Sequence, residues 1–382
     1  MADHIDVIEL NDIASLEAVR PAWHRLRTRL EDDSPYLMPE FLIPWMRRAD
    51  NRYRYRVLTA WRADELVGLA PMVERCIGRS GLVFRIRSFP VFGATPPLDI
   101  MIADQESEVM KAFVDQWLTS GPWDLIELAD VPSESRTGAR LAEALEGTGL
   151  KLSVESTKTT YVVPVEVTWA EFLASRPRKL RQNLRRGRAR CQESGASRIL
   201  RYPGNEISLE QTIAMTLRVI ERSWKAATTG REGWERFFGE LITELAAGDL
   251  LFWRCLVVKG EPIASLLALE YRETLHGFHL VADVDFQRLS PGFLLLADSV
   301  QYVHERGYRR FDLGGDADYL HRWAKSTRRF DRISVTGNSI CSRLKTRLYQ
   351  REHRRRVARS EREAAANRMV TKNASPDSED DA

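Results

Sequence analysis

Ser290-Pro291-Gly292 carries the densest chemical information in this 382-residue sequence. An apolar stretch from Leu275 to Val281 runs into a polar turn. The tripeptide then opens a segment in which Leu294, Leu295, Ala297, Val300 and Val303 recur with helical spacing. Proline suits the first turn of a helix, where its missing N–H costs nothing. Such a start leaves backbone N–H groups unpaired at the positive end of the helix dipole, so an anion such as a pyrophosphate can bind there. Gly292 lets the ligand approach closely. A second charge feature runs from Arg176 to Arg190, with eight Lys or Arg in fifteen residues. It reads either as a solvated helix face or as a surface for an anion: donor phosphates, a sugar nucleotide, tRNA or an anionic lipid surface. No aromatic residues interleave it, which argues against a platform for stacking single-stranded bases.

Other reactive side chains group less well. His276 and His279 lie three apart on a strand, so they are expected on opposite faces and do not form a ligand pair. Asp283 and Asp285 have no neighbours that suggest a metal. Cys76, Cys191, Cys255 and Cys341 are far apart in sequence and read as reduced thiols, with no zinc site or disulfide framework. Lys+Arg total 57 against 54 Asp+Glu, and a formal net charge of +3 does not by itself imply nucleic-acid binding. The N-terminus has no basic segment leading into an apolar run, and no stretch approaches the roughly 18 apolar residues of a membrane helix. These features predict a soluble, cytoplasmic protein.

The elements that must position these residues follow a mixed α/β order. A strand is expected over Asp6 to Leu10, and a helical region from Ile13 to Arg48 broken near Ser34-Pro35. A hairpin follows, Tyr55 to Trp61 and Leu66 to Val73, then a strand at Leu98 to Ile102, a helix from Glu106 to Leu118 and a strand from Trp123 to Leu128. The same order returns later. Leu251 to Val258 and Ile263 to Glu270 form a hairpin, Leu275 to Val281 a strand, Pro291 to Arg306 a helix, and Arg310 to Leu313 a strand. A tandem duplication explains both halves, and chance recurrence of a common order is the alternative. Between them Thr168 to Gly195 predicts a helix with Leu180, Leu184, Gly187 and Cys191 on one stripe. The expected organisation is one module over 1–160, a second over 161–345, and a charged, partly disordered tail over 346–382, Arg-rich from Arg351 to Arg368 and acidic at its end.

Gln287-Arg288-Leu289-Ser290-Pro291-Gly292 resembles the acyl-CoA pyrophosphate loop of GNAT N-acetyltransferases, with Ser290 in place of the first glycine. Beyond it, Gly307-Tyr308-Arg309-Arg310-Phe311-Asp312, Gly314-Gly315, Tyr319 and Trp323 are similar to the CelD-like acetyltransferases of cellulose biosynthesis, relatives of the FemABX peptidyltransferases. The basic segment from Lys179 to Arg186 resembles the same branch, whereas Leu320 stands where that branch commonly has lysine. The resemblance implies a GNAT fold built as two tandem modules, each a mixed, largely antiparallel sheet flanked by helices. It implies acetyl-CoA or another acyl-CoA as co-substrate and no metal. Gln287, Arg288, Ser290, Pro291 and Gly292 would hold the donor, and backbone N–H groups of Leu280 and Val281 would polarise the thioester carbonyl. Asp312 would act as base and Tyr319, on a following helix, as acid. The residues themselves leave open that Asp312 caps the Gly314-Gly315 turn and that Tyr319 and Trp323 form a buried helix face.

The expected activity is transfer of an acyl group, chiefly acetyl, to an amine of a small-molecule, sugar or envelope precursor. FemABX-like transfer from aminoacyl-tRNA and a non-catalytic anion-binding module are the rival readings. The first module is expected to supply acceptor-side surface, because Pro96-Pro97 is not followed by a helix start like Ser290-Pro291-Gly292.

Overall fold

Prolines punctuate the first helical region into separate pieces. A computed structural model describes residues 4–351 except 33, 50–51, 80–81, 92–95, 104–105, 224–230, 318 and 350. After β1 (Asp6–Leu10) come α1 (Ile13–Ala18), α2 (Arg20–Arg29) and α3 (Pro39–Met46). Pro21 and Pro39 sit in the first turns of α2 and α3, where a missing N–H breaks no intrahelical bond. Strands β2 (Tyr53–Tyr55), β3 (Val57–Arg62), β4 (Glu65–Ala70), β5 (Val73–Arg79), β6 (Leu82–Ser88) and β7 (Met101–Ile102) follow. Then come α4 (Glu106–Thr119), β8 (Leu125–Pro132), α5 (Thr137–Ala144) and β9 (Lys151–Pro164).

The helix expected over Thr168 to Gly195 forms as two, α6 (Trp169–Ser175) and α7 (Arg178–Glu193). Pro177 causes the break: it forces Arg176 into an extended conformation, with ψ 156°. The predicted stripe of Leu180, Leu184, Gly187 and Cys191 is the buried face of α7. The chain continues through β10 (Ser197–Tyr202), α8 (Leu209–Glu221), α9 (Arg231–Ala247), β11 (Leu251–Val258), β12 (Glu261–Tyr271) and β13 (Thr274–Ala282). A 3-10 segment at 284–289 precedes α10 (Pro291–Arg306), β14 (Arg310–Asp312) and β15 (Ser326–Thr336), and a last helix, α11, covers 340–349.

The repeated order is visible in space. Strands β1-β3-β4-β7 form an antiparallel four-stranded sheet, and β10-β11-β12-β13 repeat that arrangement as one end of an eleven-stranded sheet. Tight turns with positive φ, such as Lys259 (52°) and Gly260 (84°) between β11 and β12, match the strand twist. The large sheet runs on as β14-β9-β15-β8-β6-β5-β2. Because β15 inserts between β9 and β8, a strand that follows β14 in the second half completes the sheet of the first half. Residue 160 lies within β9, which pairs with β14 at one end and with β15 along most of its length.

One core joins α1–α3, the small sheet, α8, α9 and one face of β11–β13, and a second packs α6, α7 and α10 on the opposite face of those strands. The Arg-rich continuation to Arg368 and the acidic end of the chain lie outside the described residues, and α11 runs across residue 346.

Candidate active site

The site is a fork between two strands. Parallel β13 and β14 pair at only three positions, Thr274 with Arg310, Leu275 with Phe311 and His276 with Asp312. Beyond them β13 stays with β12 as far as Ala282, and β14 ends at Asp312. Two glycines allow the crossing. A Cβ on Gly314 (φ +69°) would stand 1.9 Å from the Gly277 carbonyl oxygen, and one on Gly277 would stand 2.9 Å from that of Leu313. Only hydrogen fits at either place.

A β-bulge lies at the same point. Gly277 opposes Ala268 and His279 opposes Leu267, so Phe278 is the extra residue. This overturns the expectation that His276 and His279 face opposite ways. Their cross-strand partners, Leu269 and Leu267, are two apart on β12, so the bulge returns both histidines to one face, towards the first core. His279 lies against Phe238 (4.7 Å between ring centroids) and Trp234 (5.9 Å), and His276 lies edge-on to Tyr36 (5.9 Å).

A cavity of roughly 200 Å³ fills the fork, lined by Leu266, Gly277, His279, Leu280, Leu296, Leu313 and Tyr319 among others. Past the bulge, the Asp283 N–H donates to the Ile263 carbonyl at 2.9 Å. Antiparallel alternation then turns the Val281 N–H towards β12 and the Leu280 N–H towards the fork. Of the two backbone positions expected to polarise a carbonyl, Leu280 therefore has the orientation and Val281 does not.

The start of α10 stands over this strand. Ser290 is left-handed (φ 52°, ψ 49°), its side chain makes no cap, and Pro291 occupies the first turn. The Leu294 N–H returns to the Ser290 carbonyl at 3.1 Å, so the N–H groups of Gly292 and Phe293 have no acceptor within the helix. A Cβ on Gly292 would meet the Leu280 side chain at 3.8 Å. Gln287 and Arg288 are exposed in the preceding 3-10 segment. Helix α7 packs alongside, with Gly187 so close to Leu294 that an added Cβ would lie at 3.2 Å. Its Arg178, Lys179, Arg185, Arg186, Arg188 and Arg190 are exposed. Arg188 reaches the Gln301 amide oxygen at 3.3 Å, and among the described residues no carboxylate pairs with these cations.

Asp312 is buried. Its Oδ1 accepts the Gly314 N–H at 3.0 Å, and its Oδ2 faces the Arg328 guanidinium at 3.7 Å. The turn-capping contact is thus present, and Asp312 is not among the residues lining the cavity. Tyr319 does line it. The expected helix there is instead a 3-10 turn, Leu320–Arg322, with Tyr319 as its N-cap. Trp323 is fully buried whereas Tyr319 is 45% exposed, so the two do not form one buried face. A three-residue turn does not repeat a face at four-residue spacing.

Residues from the first half reach the fork unannounced by the sequence. The Tyr36 hydroxyl donates to the Gly277 carbonyl at 3.2 Å, and burial, reinforced by the charge of Asp312, holds its phenol well above the ordinary range. Phe278 packs on Phe41 (5.2 Å) and Trp45 (6.3 Å) of α3. Only the break at Ser34-Pro35 hinted that this segment turns inward. Among the described residues no group of three or more His, Cys, Asp or Glu is placed to hold a metal, and no helix is long and apolar enough to cross a membrane.

Residues 178–323 match the family model for the acetyltransferase (GNAT) domain. This segment spans α7, the fork and the start of α10, and it marks a GNAT-type acyltransferase domain in the second half of the chain. No curated protein matches the sequence. Among solved structures the chain is similar to FemX, with a TM-score of 0.56 at 12% identity, covering 89% of this chain and 99% of that one. It is also similar to the C-terminal domain of a putative lysylphosphatidylglycerol synthetase from Agrobacterium fabrum, with a TM-score of 0.52 at 12% identity and coverage of 88% and 95%. L-PGS from Bacillus licheniformis gives 0.51 at 12%, covering 86% and 96%. Likeness at such identities concerns the fold, and the fold is that of GNAT proteins.

Proposed function

We propose that the chain is an acyl-CoA-dependent acyltransferase of the CelD-like branch, acetylating an amine on a small molecule, sugar or envelope-polysaccharide precursor. The observation that carries this reading is the apolar fork between β13 and β14 with the start of α10 beside it. A thioester arm fits a slot lined by leucines, while the donor's pyrophosphate meets the N–H groups of Gly292 and Phe293 at the positive helix end. Gln287 and Arg288 flank that anion, and Ser290 and Pro291 shape the turn.

The acceptor nitrogen attacks the thioester carbon, and the Leu280 N–H stabilises the oxyanion. The C–S bond then breaks. Tyr319 protonates the leaving thiolate, and Asp312, through water, takes the proton that the nitrogen sheds. The first half closes the acceptor side through Tyr36, Phe41 and Trp45.

Calorimetric titration with acetyl-CoA and longer acyl-CoAs tests the reading, alongside Gly292→Trp, which blocks the helix start. Saturable binding lost in the variant is the expected result. A folded protein that binds no acyl-CoA would instead favour aminoacyl-tRNA as donor, a second reading supported by the exposed cations of α7.

A further inference from the structure

Helix α11 shows two unlike faces. Its inner face is fastened to the first half: the Ser342 hydroxyl donates to Asp124 Oδ1 at 2.7 Å, Lys345 Nζ to the Val83 carbonyl at 2.7 Å, and the Tyr349 ring meets Phe84 at 5.2 Å. On its outer face Ile340, Leu344 and Leu348 recur at i, i+4 and i+8 and are 85%, 58% and 55% exposed. Single exposed apolar residues elsewhere, such as Ile8 and Val154, need no explanation. Three on one stripe form a patch.

Charge decides what covers it. Between residues 340 and 360 the sequence carries eight Lys or Arg against one Glu. Arg343, Arg347 and Arg351 border the apolar stripe and are exposed. Pairing with a second copy through this stripe would bring like charges together. An anionic surface would neutralise them. The ten described residues of α11 span about 15 Å, half the roughly 30 Å of a bilayer core, and among the described residues no helix is long and apolar enough to cross a membrane, so the contact open to α11 is with the interface.

We propose that α11 docks the protein on an anionic lipid bilayer, with Ile340, Leu344 and Leu348 inserted between headgroups and the flanking arginines on lipid phosphates. The site is separate from the fork, and the proposal stands whether or not the donor is acyl-CoA.

Flotation of the full-length chain with vesicles of equal parts phosphatidylglycerol and phosphatidylcholine tests it, with pure phosphatidylcholine vesicles as reference. The wild type is expected to float with the mixed vesicles only, and less so as salt rises. Ile340→Gln/Leu344→Gln/Leu348→Gln should lower the bound fraction roughly tenfold or more with an unchanged melting curve, since these side chains are exposed. Arg343→Gln/Arg347→Gln should weaken binding and flatten its salt dependence. Wild type that ignores the mixed vesicles, or a triple variant that floats as well as wild type, would overturn the proposal. So would a dimer in size-exclusion chromatography that the triple variant converts to monomer without any flotation of the wild type, which would assign the stripe to a second copy.

Discussion

The two halves begin from the same four antiparallel strands and diverge at the fourth. In the second half β13 is nine residues long, forks from β14 after three pairs and leads through Ser290-Pro291-Gly292 into α10. In the first half β7 is two residues long, and β8, the counterpart of β14, pairs in parallel with β6 instead. The added β5–β6 hairpin occupies the edge where a fork would open. A duplicated topology therefore does not duplicate a cleft: a fork requires a strand that leaves its neighbour, and among the described residues only the second half keeps one.

Substitutions matched between the halves can break this comparison. The largest effect is expected from Gly314→Val, which drives a side chain into the Gly277 carbonyl at a positive φ. It should cost about 3 kcal/mol or more and abolish acyl-CoA binding, whereas Gly78→Val in β5, with nothing within 4 Å of its Cβ, should stay within about 0.5 kcal/mol. Denaturant melts and calorimetry on both variants check it, and equal losses would mean that the fork is not special.

Asp312→Asn retains an acceptor for the Gly314 N–H and removes a base. Turnover should fall about 100-fold with donor binding unchanged. Asp130→Asn, at the matching end of β8 where Asp130 pairs with Lys158 at 2.8 Å, should leave turnover intact. Full activity in Asp312→Asn would reduce that residue to a cap.

Tyr36→Phe removes the hydrogen bond by which the first half holds the fork, and should cost about 1 kcal/mol while raising the acyl-CoA dissociation constant a few-fold. An unchanged dissociation constant would separate the first half from donor binding.

The smallest effect concerns Asp99, beside β7. Burial raises its pKa to about 6, against hydrogen bonds from Ser135, Thr137 and Ile100 that lower it. Its folded pKa lies above its unfolded one, so the native state binds the extra proton between about pH 4 and 6, and stability falls as pH rises through that window. Asp99 retains some exposed surface, so the contribution is about 1 kcal/mol rather than the full shift. Asp99→Asn should flatten the melting temperature over that range. A profile as steep as wild type would place the titrating group elsewhere.

Much of the scaffold was legible because it is local. The α7 stripe, the α10 start and both hairpins follow from spacing and turn chemistry within a few residues. The candidate site was legible in part. Leu280 and Tyr319 line one cavity, and a Cβ on Gly292 would meet the Leu280 side chain at 3.8 Å, but the turn of the Val281 N–H away from the cavity depends on a ladder with β12. The bulge that puts His276 and His279 on one face was hidden for the same reason, since a bulge exists only relative to a partner strand.

The sequence by itself determined where helices begin and break, which helix face is apolar and which tripeptide opens α10, because backbone sterics and side-chain periodicity act over one or two turns. The tertiary structure alone decided that β13 parts from β14 at two glycines, that β15 completes the sheet of the other half and that Tyr36 reaches the fork from 241 positions away. Those outcomes depend on pairings between segments far apart in the chain, whose register is set by the burial of whole faces rather than by any local preference.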